Sequence, residues 1–217
     1  MQQLLHHENP LTAAFPAELA QDVLAVLAVM PPPRWQPAEP FSVQVQGRQV
    51  TIPSRLYSEE PPVEAVDSLP ERRRTILHCL YTRHHDGRVR QRHLEQVIGT
   101  PEPWVVPFVV QLVGEYVLEI LVAIGGALGG LGVPGSADRS RYGRFIADNP
   151  AFFARTERRV VSYWNCYHRT GYAGYADFAG YPGCTLLALL RAAAEEHGAL
   201  RVPSLAPSGS TRLDGYC

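Results

Sequence analysis

Lysine is absent from this chain: all 20 of its Lys+Arg residues are arginine, alongside abundant Ala, Gly and Pro. Such a bias most simply reflects a GC-rich coding sequence. A lysine-free chain uses arginine for ordinary surface solvation as well as for bidentate recognition, so no arginine marks an anion site by identity alone. The glycine-rich stretch Gly125 to Gly135 lacks the Lys-Ser/Thr ending that cradles nucleotide phosphates, and no G-x-S-x-G elbow occurs. Cys79, Cys166, Cys184 and Cys217 form no CxxC pair. The first residues carry Gln, His and Glu rather than a basic then apolar leader, so a reducing cytoplasm is the expected setting.

A clean membrane span is also missing. Val105 to Leu131 is apolar, but Glu115 and Glu119 interrupt it. Two carboxylates near the centre of a span would cost about 2.5 to 3.5 kcal/mol each. Gln111, Glu115 and Glu119 are spaced to form one polar stripe on a buried helix with a wet edge, and no membrane partner is expected.

At 217 residues, 46% hydrophobic and 19% charged, the chain has the content of a folded protein. A single mainly α domain is expected over 1–198, compact, with about six or seven helices and one small β-hairpin. A disordered tail is expected over 199–217. Apolar spacing through Leu19, Val23, Val26 and Met30 predicts a first helix stopped by Pro31-Pro32-Pro33. Alternation about Gly47 predicts the hairpin at 41–53. The helical core, 68–198, opens on Ser68-Leu69-Pro70-Glu71, a capping-box pattern. The chain turns at Asp86-Gly87, and the next helix runs from Arg88 to Gly99. A further helix covers 103–124, Asn149-Pro150 caps another, and Thr185 to His197 forms the last, closed by Gly198.

Asp86-Gly87-Arg88-Val89-Arg90, then Leu94, then the apolar run Trp104 to Leu112, resemble a HEAT-type helical repeat, in which a short turn with a D-x-x-V-R pattern starts a helix. The resemblance implies HEAT-like helix pairing in the middle of the chain. It covers about forty residues and has no second copy, whereas stacked arrays need about three.

Charge is segregated under a net value of −1. Residues 1–71 hold nine acidic side chains against three arginines, and residues 72–93 hold seven arginines against Asp86 alone. Either the acidic part lies over the basic hairpin, or the hairpin faces an anionic partner.

His78, His84, His85, Asp86 and His93 are the densest set of potential ligands, but they include no HExxH, and the neighbouring arginines oppose a cation. Neither a metal nor a cofactor is expected. Cys166 and His168 are two apart and diverge on a helix, so they do not serve each other as nucleophile and base. Glu115 and Glu119 suit pairing with arginine better than acid–base work. A helix-turn-helix reading of the hairpin finds little support in Arg90, Gln91 and Arg92 or in a pI near 6.7.

The expected function is non-catalytic binding of an acidic partner protein through Arg83, His84, His85, Arg88, Arg90 and Arg92. Nucleic-acid binding by the same hairpin is one alternative. A small enzyme or metal protein using Cys166 or the histidines is another. Protonation of His78, His84, His85 and His93 would strengthen anion binding below about pH 6.5.

Overall fold

The structure is a computed structural model that describes residues 9–170 and 173–198. The expected tail at 199–217 and Cys217 lie outside the described residues. Short 3-10 turns at Pro10–Ala14 and Ala17–Leu19 lead into α1 (Ala20–Val29), which buries Val23 and Val26 and ends where Met30 turns extended before the prolines. The hairpin follows as β1 (Pro40–Val45) and β2 (Arg48–Pro53), antiparallel, with Phe41 opposite Ile52 and Val43 opposite Val50. Gln46 and Gly47 both take positive φ, 51° and 77°, the two-residue turn whose twist matches antiparallel strands. Phe41, Val43, Val45, Val50 and Ile52 all face the core.

The remaining helices are α2 (Val63–Asp67), α3 (Glu71–Tyr81), α4 (Gly87–Val97), α5 (Val106–Val113), α6 (Leu118–Ala127), α7 (Ala137–Asp148), α8 (Pro150–Tyr163) and α9 (Pro182–Glu195). The mainly helical class with one hairpin is therefore as expected, but nine α-helices appear among the described residues rather than six or seven. One is the short α2. The other comes from the expected 103–124 helix, which is two: Gly114 leaves the helical region at φ −87°, ψ 31°, and the chain re-enters a helix at Leu118.

That break overturns the polar stripe. Gln111 and Glu115 are buried, Glu119 is exposed, and the three no longer share one helix. Every residue of α5 is buried, placing it at the centre of the molecule, with α6, α7, α8 and α9 packed around it. One continuous hydrophobic core runs from Leu11 through the hairpin to Ala194.

Two caps also differ from expectation. Ser68 closes α2 by donating its hydroxyl to the Ala65 carbonyl, and Pro70 precedes α3, so the capping box does not form. Asn149 stands at the N-cap of α8 with Pro150 next, as expected, but its side chain makes no cap hydrogen bond. Its Oδ1 accepts from the Gln44 amide at 2.7 Å and its Nδ2 donates to the carbonyls of Gln44 and Phe145, both at 2.8 Å. That side chain fastens β1 to the α7–α8 corner, a role local sequence does not advertise.

Candidate anion-binding site at the helical hairpin

The turn between α3 and α4 is fixed by segment 54–58, which follows β2. Leu56 donates its amide to the Arg83 carbonyl at 2.7 Å and accepts from the His85 amide at 3.0 Å. Asp86 caps α4 by accepting from the Arg88 amide at 2.7 Å. His84 lies inside this turn: its Nε2 donates to the Ser58 carbonyl at 3.1 Å and its Nδ1 accepts from the Asp86 amide at 3.1 Å. Both partners have fixed polarity, so the ring is held as the neutral Nε2–H tautomer.

The six side chains assigned from sequence divide into two sets. Arg83, His84 and Arg90 are buried, whereas His85, Arg88 and Arg92 are exposed. Arg83 and Arg90 point inward because Glu115, delivered by the break after α5, is fully buried beside them. Glu115 accepts from Arg55 Nη2 at 3.0 Å and from Arg90 Nη2 at 3.2 Å, with Arg159 Nη2 at 3.6 Å and Arg83 Nη2 at 3.8 Å. Arg90 Nη1 also donates to the carbonyls of His84 and His85, and Arg83 Nη2 to that of Ser54. Burial lowers the Arg83 pKa to about 9, against the opposing pull of Glu115. The buried arginines thus form the turn's internal scaffold.

The acidic N-terminal part does cover one flank. Asp22 binds Arg73 at 2.8 Å, and Glu60 binds Arg92 at 2.5 Å and His93 Nε2 at 2.8 Å. Arg88 has no ion pair among the described residues.

Of the histidines, His78 and His93 meet, Nδ1 to Nδ1 at 2.8 Å, at a pocket of about 240 Å³ that Glu60, Asp67 and Arg92 also line. With His93 Nε2 donating to Glu60, His93 Nδ1 accepts from His78 Nδ1–H. Burial first, then the His93 charge and Arg74, brings the His78 pKa to about 4. Burial also lowers those of His93 and His84. Protonation of these three rings therefore requires a lower pH than the 6.5 at which it was expected to strengthen anion binding. Among the described residues no group of three or more His, Cys, Asp or Glu is placed to hold a metal.

Cys166 is disulfide-bonded and so is not a free nucleophile. Its neighbour His168 donates Nε2 to the Tyr116 carbonyl at 3.0 Å. Cys79 is fully buried, which pushes its thiol pKa well up.

Sequence reasoning missed the face beside the turn. Tyr116, Tyr163 and Tyr167 form a cluster with centroid separations of 5.9 to 6.0 Å. Tyr116 and Tyr167 are 48% and 59% exposed. Arg159 lies 5.8 Å from the Tyr163 ring centre while reaching Glu115. Gly87 abuts Val117: a Cβ there would lie 3.0 Å from Val117 Cγ2. The start of α4 thus packs on Val117, the residue that follows Tyr116. Tyr163 and Tyr167, four apart on the α8 continuation, were the available signal; Tyr116 joins them only through the fold.

No helix among the described residues is long and apolar enough to cross a membrane. Comparison with protein-family models, with curated proteins and with solved structures finds no match to this chain.

Proposed function

We propose that the protein acts by binding rather than by catalysis, and that it docks an acidic surface of a partner protein on the face formed by Arg88, Tyr116 and Tyr167. The supporting observation is the exposed tyrosine cluster joined through Arg159 to a group of four arginines that shares one carboxylate. Tyrosine and arginine are the residue types that dominate interface hot spots, because they combine large rigid contact area with directional polar groups. Charge complementarity selects an acidic partner. His85 stacks on Tyr57 at 5.5 Å, while Arg92 is already committed to Glu60.

The test is affinity capture with the wild-type chain beside Arg88→Ala and Tyr167→Ala, both surface changes that leave the core intact. A bound protein released by salt and lost in both variants supports the reading. Capture indifferent to both substitutions overturns it. Tyrosines beside arginine also suit a single strand of nucleic acid, on which bases stack; loss of the bound partner after nuclease treatment would transfer the assignment there.

A further inference from the structure

Around Glu115 the ledger of charge and of hydrogen-bond donors does not balance. Four guanidinium groups lie within 4 Å of that one carboxylate, at 3.0, 3.2, 3.6 and 3.8 Å, and no other acidic group pairs with any of them among the described residues. Counting each side chain in its usual ionised form, the cluster carries three positive charges in excess. Glu115, Arg83 and Arg90 are inside the fold, at 0%, 0% and 1% side-chain exposure. Donors are in surplus too: Nε and Nη1 of Arg83 and Nε of Arg90 are buried without a hydrogen-bond partner. Glu115 accepts from Arg55 and Arg90 through Nη2 of each, and none of these three donors reaches it.

We propose that the cluster of Arg55, Arg83, Arg90 and Arg159 is a binding site for an oxyanion of the phosphate class, seated beside Glu115. Planar guanidinium forks match tetrahedral oxyanions, which accept several charge-assisted hydrogen bonds at once and carry one to two negative charges. A single further carboxylate would leave more of the excess uncompensated. The route in is marked by exposure: Arg55 and Arg159 are 24% and 23% exposed, so each spans from solvent to the buried carboxylate. Gly114 lets Arg159 lie close, since a Cβ at that position would stand 3.3 Å from Arg159 Cβ and 3.5 Å from its Nε. Burial lowers the Arg83 pKa first, and Arg55, Arg159 and Arg90 lower it further against the pull of Glu115. The same arginine cluster also adjoins the proposed docking face through Arg159, but the two readings are tested at different residues, Arg55 and Arg159 here and Arg88 and Tyr167 there, so their failures are distinguishable.

The experiment is a titration of the full chain with inorganic phosphate, followed by thermal unfolding and by calorimetry, with ionic strength held constant by sodium chloride. A saturable rise in melting temperature with a matching binding heat is expected. Arg55→Gln and Arg159→Gln keep the buried arginines in place, and their folding is verified by circular dichroism. Each is expected to weaken phosphate by about tenfold. Phenyl phosphate distinguishes a free ion from an ester: binding of either at this site supports the proposal, and the tighter one names the source. Equal melting curves in phosphate and chloride, with no heat, would show a closed structural ion network and overturn it. Saturable binding unchanged in both glutamine variants would place the anion elsewhere and overturn it as well.

Discussion

Glu115 is the residue on which most of the turn's electrostatics rests. Taking its charge away leaves four arginines facing one another in the interior, whereas removing one arginine leaves three to share the carboxylate. Glu115→Gln is therefore expected to lower unfolding free energy by about 3 to 5 kcal/mol, the scale for stranding buried charge. Arg159→Gln, at the partly exposed edge, should cost about 1 kcal/mol or less. Urea denaturation of the two variants checks the ordering; equal losses would contradict it.

At the same scale, His78 sets a pH response. Its folded pKa, about 4, lies below the unfolded value of 6.5, so the unfolded chain takes up the proton first. The contribution to stability is complete above about pH 6.5 and is lost progressively as pH falls toward about 4. Partial exposure of the ring reduces the loss to about 1 to 2 kcal/mol. His93 and His84, shifted in the same direction, add to it. Urea midpoints at pH 7.5 and pH 5 should show the drop, and His78→Gln should shrink it.

At the scale of elements, α7 and α9 pack so closely that only glycine fits at position 143. A Cβ there would lie 2.3 Å from the Ala193 carbonyl oxygen and 2.6 Å from its carbon. Backbone atoms of a helix do not yield as a side-chain tip does. Gly143→Ala is expected to cost about 1 to 3 kcal/mol or more by overpacking, measurable as a lower urea midpoint, and an unchanged midpoint would contradict the packing. The hairpin shows how local and long-range signals share the work. Alternation of Phe41, Val43 and Val45 with polar neighbours marks strand β1, and Gln46-Gly47 marks its turn. Its position against the helices depends on Asn149, which lies 105 residues from Gln44.

At the scale of the whole molecule, charge segregation along the chain becomes partial neutralisation in space. Asp22 and Glu60 occupy Arg73 and Arg92, while Arg88 stays free of ion pairs among the described residues. Duplex DNA is therefore expected to show no saturable binding at moderate salt, because Arg73 and Arg92 of the hairpin are already paired and are not available to displace counterions from phosphates. A fluorescence titration with wild type and Arg88→Ala measures this. Salt-sensitive binding lost in the variant would assign the face to nucleic acid instead.

Periodicity and helix-breaking residues were enough to determine the class of fold, the hairpin and most helix positions, because 3.6- and two-residue spacings are local properties of the chain. The same local reasoning made one helix of 103–124, since the apolar run continues across Gly114, and a glycine inside such a run is compatible with a helix until a tertiary demand breaks it. Here the break after Gly114 accompanies the burial of Glu115 beside the arginines. The hairpin arginines were legible as a group from charge alone, but composition carries no inside or outside. Arg83 and Arg90 turned inward because a carboxylate more than twenty residues away was brought beneath them, and Arg88 stayed outside because nothing was. Tyr116 likewise met Tyr163 and Tyr167 only through the packing of distant segments. Burial and pairing depend on contacts between residues far apart in the chain, and those the tertiary structure alone decided.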